Sequence, residues 1–297
     1  FCCPDRGALL PDKSYPSTAG LCSTDSMMSM SYYSQTIVAG KRQFSFREAG
    51  DGCPLVLLHG IGSNSGSWQR QLTGLSDKFR VIAWDAPGYG ASTALDVPKP
   101  YAQNYADALA MCLDAMQISE CRLVGHSLGT LMAVAFARKH ARTTALVLAS
   151  CALGYQMQPD DPLPKKIQER LRNLERLGPE GVAQARAACL LSNSATPDQV
   201  VQVREAMAQI RPEGYQQATM MLAQGDLEAD ALQVKTPCLV LCGSDDQITP
   251  ETHSQQIAEV LDGARYQSLT GAGHVCYIEQ PEMFNNTLRI FFTTEKQ

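Results

Sequence analysis

The sequence has little of what marks a nucleic-acid or membrane partner. Its 297 residues carry 25 Lys and Arg against 30 Asp and Glu, a net charge of −5. With a pI near 5.6 and no run of like charge, it offers no basic field to a phosphate backbone, which excludes nucleic acid as an expected partner. No apolar run approaches the roughly 20 residues that span a bilayer. Histidine is scarce, at five residues, so chemistry that needs an imidazole has few candidates. The eleven cysteines lack the paired spacing of zinc sites. Cys238 and Cys242 both fall in "TPCLVLCG", a strand-like run, where four residues span roughly 13 Å, too far for a disulfide. We therefore expect reduced, buried thiols, a cytoplasmic setting, and neither metal nor cofactor.

The first residues, "FCCPDRGALLPDKSYPSTAGLCSTDSMMSM", have no helical or strand period. They also lack a basic stretch followed by an apolar one, so they are not a secretory signal. Met27, Met28 and Met30 stand just before the first patterned segment, where a natural start is expected. Residues 1–33 read as an extension that carries no fold.

From residue 34 onward the pattern is regular. "SQTIVAG" and "RQFSFREAG" alternate as strands around a Gly-Lys turn, an antiparallel hairpin. "PLVLLHG", "RVIAW", "CRLVG" and "TTALVLAS" are short apolar runs of the kind that fill buried parallel strands. Helical patterns lie between them. In "NYADALAMCLDAMQI", Tyr105, Leu109, Cys112, Leu113 and Met116 share one face. Strand and helix in alternation imply an α/β protein with a mostly parallel, doubly wound sheet. The alternation stops near residue 154. Residues 154–233 hold four helical patterns, each opening near a proline. It resumes with "TPCLVLCGSDD", "PETHSQQIAEVLD", "ARYQSLTG" and "PEMFNNTLRIFF". The expected plan is an α/β core over 34–153 and 234–297, with an all-helical lid, 154–233, inserted after the sixth main strand.

One serine stands out. Gly125-His126-Ser127-Leu128-Gly129 fits G-x-S-x-G between an apolar strand and a helix. A very sharp turn there would lift the hydroxyl above the carboxyl edge of the sheet, and side chains two residues to either side would collide with neighbouring backbone. The helix after the serine aims its free N–H groups at any negative charge that forms. The alternative is a tight turn with a helix-capping serine.

A serine hydroxyl is a weak nucleophile until a base takes its proton. His126 adjoins Ser127 and is turned away from it. His140 ends a helix, a structural place. His253 lies in a polar helix and is expected to be solvated. His274 lies in the glycine-rich "TGAGHVCYIEQP", after the last strand, where an imidazole can hang over the sheet edge. It is the expected base. An acid must then orient it. "TTALVLAS" is followed by no acid before Asp160 of the insert. "TPCLVLCG" is followed at once by Asp245 and Asp246, one of which is the expected partner.

Together, "HGIG", "DAPGYGAS", "GHSLG" and "GSDDQITP…GAGH" resemble the α/β-hydrolase superfamily over nearly all of residues 34–294. In that family a G-x-x-D-x-x-x-P loop carries the acid; laid on "GSDDQITP" this register implies Asp246, with Asp245 as the fallback. The resemblance also implies an oxyanion hole from the backbone N–H groups of Leu128 and Ile61, and a structural role for His59. Trp68, Trp84 and Tyr89 read as packing residues. "IRPEGYQQATMMLAQGDLEADALQVKTPCLVL" is loosely similar to 3-oxoadipate enol-lactonases. The implied activity is hydrolysis of an ester or lactone of a small organic acid through an acyl-enzyme, with a small molecule as the partner. A serine nucleophile argues against haloalkane dehalogenases and epoxide hydrolases. A carbon–carbon bond hydrolase, a cofactor-free perhydrolase and a non-catalytic ligand receptor of the same fold are the alternatives. The oligomeric state is left open.

Overall fold

The computed structural model describes residues 32–294; the expected N-terminal extension lies almost wholly outside them. Eight strands form one sheet: β1 (Gln35–Ala39), β2 (Arg42–Ala49), β3 (Cys53–Leu58), β4 (Phe79–Trp84), β5 (Cys121–His126), β6 (Thr143–Ala149), β7 (Cys238–Gly243) and β8 (Arg265–Leu269). Their spatial order is β1-β2-β4-β3-β5-β6-β7-β8. β1 and β2 are the antiparallel hairpin, turned at Gly40 with φ 60°, and β2 runs antiparallel to β4. All other neighbours are parallel. The fold is the mostly parallel doubly wound sheet that the alternation implied.

The inner strands β3 to β7 are buried on both faces over most of their length, and alternate side chains feed two cores. Val56, Leu58, Leu123, Leu146, Leu148 and Val240 pack on one side of the sheet. Leu55, Leu57, Val124, Val147, Leu239 and Leu241 pack on the other. α2 (Ala102–Ala115) and α3 (Leu128–His140) cover the first face, and α1 (Gln69–Leu75) belongs to the second. α3 is buried continuously from Leu128 to Ala137. Its small side chains, Gly129, Ala133, Ala135 and Ala137, let it lie close on the strands.

Between β6 and β7 every regular element is a helix: α4 (Lys165–Arg186), α5 (Pro197–Ala208), α6 (Pro212–Gln224) and α7 (Leu227–Ala231), with a single short 3-10 turn after α4. α4 covers what the sequence suggested as two helices. They abut at a break where Gly178 adopts φ 64°, ψ 178° just before Pro179, a conformation open mainly to glycine. α5 opens with a reciprocal cap: Thr196 and Gln199 each bond the other's backbone N–H, and Pro197 occupies the first turn. After β7 come α8 (Glu251–Val260), the short α9 (Cys276–Glu279) and α10 (Pro281–Thr294). α7 and α9 have too few residues to show a period, so the sequence pattern does not reveal them.

Candidate active site

Ser127 sits between the last residue of β5 and the first of α3, with φ 53° and ψ −117°. This is strained backbone for a residue with a side chain, at a typical cost of about 1–3 kcal/mol. The surroundings enforce it. The Ser127 N–H donates to the Ala149 carbonyl at 2.8 Å, and the Thr130 hydroxyl donates to the Ser127 carbonyl at 2.6 Å. The flanking glycines have a steric reason. A Cβ on Gly125 would lie 2.4 Å from the Gly129 carbonyl oxygen, and one on Gly129 would lie 2.5 Å from the Leu58 carbonyl oxygen. Both obstacles are backbone, so neither can move aside. The serine is thus not a simple helix cap; its side chain makes no capping bond to α3.

The hydroxyl faces His274, whose Nε2 lies 2.9 Å from Ser127 Oγ. His274 Nδ1 lies 2.9 Å from Asp246 Oδ2. Asp246 follows β7 and His274 follows β8, so two neighbouring strand ends bring together residues 28 positions apart. With Asp246 as acceptor, Nδ1 carries the proton and Nε2 is left free to accept from the serine. The second carboxylate oxygen of Asp246 accepts the backbone N–H groups of Ile248 and Thr249 at 2.8 and 2.9 Å. The Thr249 hydroxyl donates to Oδ2 at 2.9 Å. Burial alone would raise the Asp246 pKa. The facing imidazole of His274 and these donors outweigh it and hold the carboxyl well below the usual range. Asp245 is exposed and accepts the Ser244 hydroxyl at 2.8 Å. The structure therefore places Asp246 against His274, and Asp245 in solvent.

Leu128 opens α3, so its N–H has no intrahelical acceptor. The loop after β3 passes over the same point: a Cβ on Gly60 would stand 3.0 Å from Ser127 Cβ, and Ile61 comes next. His59 holds this loop. Its Nδ1 lies 2.9 Å from the Gly60 carbonyl, and its Nε2 accepts the Ala86 N–H at 3.1 Å. Burial keeps it neutral.

Two supporting residues were not anticipated in these roles. His126 turns away from the serine, as expected, but its Nε2 meets the His274 carbonyl at 2.8 Å. The Ser150 hydroxyl donates to the same carbonyl at 3.1 Å. Burial, aided by His274, pushes the His126 pKa down to about 3, so the ring is neutral and Nε2 is the donor. Glu279 is a buried carboxylate whose two oxygens accept the N–H groups of Gly273 and Ser192, each at 2.8 Å. It ties the loop that ends at His274 to the segment between α4 and α5. The signal was present: Glu279 is the lone acid in the otherwise apolar "HVCYIEQP". His253 corrects the expectation of a solvated ring. It is half-buried, its Nδ1 is enclosed without a partner, and burial lowers its pKa. His140 ends α3 beside Asp107, at 3.1 Å. Trp68 packs as expected, stacked on Tyr277 at 3.9 Å. Of the eight cysteines among the described residues, six are buried, and Cys53 is exposed.

Among the described residues, no cluster of three or more His, Cys, Asp or Glu side chains could hold a metal ion, and no helix is long and apolar enough to cross a membrane. What remains is a strained hydroxyl, an imidazole and a carboxylate in one hydrogen-bonded line.

Known proteins carry the same arrangement of sequence. The profile of the family described as alpha/beta hydrolase fold matches residues 54–281. A Variovorax paradoxus relative named as a candidate carbamate hydrolase, RutD, is 30% identical over 249 residues, covering 81% of this chain and 92% of its own. The 3-oxoadipate enol-lactonase 2 of Acinetobacter baylyi is 26% identical over 270 residues, 88% of this chain and 97% of its own. Among solved structures, a thermophilic esterase from Thermogutta terrifontis, with malate bound, superposes with a TM-score of 0.79 at 26% identity. The match covers 89% of this chain and all of that one.

Proposed function

The chain belongs to the α/β-hydrolase fold family, and from that premise we propose that it is a serine hydrolase of esters or lactones of small organic acids. One observation carries the reading: the Ser127–His274–Asp246 line, with 2.9 Å at each junction, stands on a strained strand-to-helix turn. His274 Nε2 takes the proton from Ser127 Oγ as that oxygen attacks the substrate carbonyl. Asp246 stabilises the imidazolium and fixes the tautomer without itself taking the proton. The tetrahedral oxyanion is bound by the N–H groups of Leu128 and Ile61, each such donor being worth about 3 kcal/mol in comparable sites. His274 then protonates the leaving alkoxide or enolate, and the acyl group stays on Ser127. Water, deprotonated by His274, releases the acid and regenerates the hydroxyl.

Residues 154–233 are the lid in this reading, the wall that sets which acid fits. The Acinetobacter baylyi relative, named for an enol-lactone, and the Thermogutta terrifontis esterase favour carboxylic esters and lactones over the carbon–carbon bond and perhydrolase alternatives. The name carbamate hydrolase makes a carbamate the second reading, reached by the same attack on a carbonyl. The test is a screen of purified protein against p-nitrophenyl esters of rising chain length, an enol-lactone and a carbamate, with fluorophosphonate labelling in parallel. Labelling at Ser127 and turnover of short esters or the enol-lactone are expected. A protein that neither labels nor turns over any of them is not a serine hydrolase.

A further inference from the structure

α4 carries a charge where its pattern calls for an apolar side chain. Ile167, Leu171, Leu174 and Leu177 form its inward stripe at helical spacing, and Arg170 falls in the middle of that stripe. Its charged neighbours Lys166, Glu169 and Arg172 are not buried against the core, and Arg170 is half-buried. No carboxylate among the described residues lies within ion-pair distance of it. Its contact is instead Tyr215, whose hydroxyl oxygen accepts from Nη1 at 2.8 Å, with the guanidinium 5.8 Å from the ring centre. Withdrawing a cation from water without a counter-charge is unfavourable unless something else completes the pair.

Two deeply buried phenols lie beside Arg170. Tyr215 and Tyr89 are 1% and 2% exposed. Tyr215 already accepts from Arg170, and the Tyr89 oxygen accepts the Gly62 N–H at 3.4 Å. Neither phenol proton has an acceptor among the described residues. The Arg170 charge acts on the Tyr89 phenol, as does Tyr215, so the three groups are mutual neighbours. They also adjoin the loop over Ser127. A Cβ on Gly62 would lie 3.6 Å from Tyr215 Cε2, with Ile210 Cδ1 and Met207 Cε at 3.5 and 3.6 Å. Gly62 directly follows Ile61. A guanidinium fork and two phenol donors thus stand beside the loop after β3 that carries Ile61 and Gly62, next to the apolar side chains of Ile210 and Met207.

We infer that Arg170, Tyr215 and Tyr89 form a carboxylate subsite, which selects substrates whose acyl chain ends in a second, free carboxylate. The inference rests on the serine-hydrolase reading for its place beside the reacting carbonyl. A carboxylate on the Arg170 fork makes two parallel hydrogen bonds, and the phenol protons complete its shell. The aliphatic part of the acid would lie against Ile210 and Met207, several bonds from the carbonyl that Ser127 attacks. This makes Arg170 and the two tyrosines specificity residues, distinct from the groups that move protons.

The experiment compares mono-p-nitrophenyl adipate, which has a free carboxylate, with p-nitrophenyl heptanoate, its neutral counterpart of similar length. The wild type is expected to favour the adipate by about tenfold or more in kcat/KM. Arg170→Ala should lower that preference about thirtyfold, mainly through KM; Arg170→Lys should recover only part of it, since an ammonium lacks the fork; Tyr215→Phe and Tyr89→Phe should each lower it about fivefold. Free adipate is titrated into Ser127→Ala by thermal shift, alone and with Arg170→Ala added, so that binding is read without turnover. An unchanged substrate preference in Arg170→Ala, or an equal adipate shift with and without Arg170, would overturn the subsite. Loss of heptanoate turnover and of fluorophosphonate labelling in the wild type would overturn the serine-hydrolase reading, while the adipate titration would still decide the anion site.

Discussion

The turn at Ser127 and the helices over 165–231 are built by different means. At the turn, position is set by backbone against backbone. Gly125 faces the Gly129 carbonyl and Gly129 the Leu58 carbonyl, both inside the distance a Cβ would need. α3 is buried without a break from Leu128 to Ala137. In α4, by contrast, only Ile167, Leu174, Val182 and Ala183 are fully buried. That region is held by side chains and caps: Thr196 with Gln199, Asn64 on the Ala206 carbonyl, Glu279 on Ser192. A backbone-locked turn holds the Ser127 hydroxyl in one place but tolerates almost no change. A side-chain-held cover can exchange residues, so specificity can vary there while the chemistry does not.

The widest test of that contrast is Ser127→Ala. It should lower kcat by about 10⁴–10⁶ and abolish fluorophosphonate labelling, with the melting temperature unchanged or raised, since the fold is made by neighbours of the hydroxyl. Next is the paired comparison of Asp246→Asn and Asp245→Asn. The first should cost up to roughly 10⁴ in kcat and the second less than about threefold. A crippled Asp245→Asn enzyme would place the orienting acid one residue earlier.

Stability separates the two regions further. Gly129→Ala must push a Cβ into the Leu58 carbonyl, a backbone obstacle, and should cost about 3 kcal/mol or prevent folding, read from the urea midpoint. Gly178→Ala in α4 meets nothing within 4 Å and should cost only the strain of its positive φ, about 1 kcal/mol. Equal losses at the two sites would break the comparison.

His126 gives the contrast a pH dependence. Its folded pKa is pushed down to about 3, against about 6.5 in an unfolded chain. As pH falls below about 6.5, the unfolded state takes up a proton that the folded ring refuses, so stability falls, by at most about 1.4 kcal/mol per unit. His126→Gln removes this component, so its stability should vary less between about pH 6.5 and 4, measured by urea titration. Asp246 acts lower. Its depressed pKa contributes stability above about pH 4, which is lost as pH falls toward the folded value. The smallest expected effect is Glu279→Gln, which keeps one acceptor oxygen of two. A loss of about 1 kcal/mol, or about 2–4 °C in melting temperature, and a fall in kcat of about fivefold would mark Glu279 as a link between the lid and His274.

Strand and helix order, the insert after the sixth strand and the elbow serine were legible in the chain, because each depends on neighbours within a few residues. An apolar run ending in glycine makes a buried strand, and G-x-S-x-G leaves a turn of one shape. The lone histidine in a glycine-rich loop stood out for the same local reason. Position after the strand did not separate the two aspartates; only the loop register of the family resemblance favoured Asp246. The approach of the loop after β8, 28 residues on, puts Asp246 rather than Asp245 against His274. His126 beneath the His274 carbonyl left no trace in the sequence; Glu279 and Arg170 stood out only as charges inside apolar patterns, and their partners did not show. Each depends on which distant segments pack together, and a carboxylate or guanidinium reads the same in sequence whether it faces water or a buried partner. The sequence by itself determined the elements and the strained serine at the strand-to-helix turn; tertiary packing decided which aspartate faces His274, the supports around it and the charge held beside them.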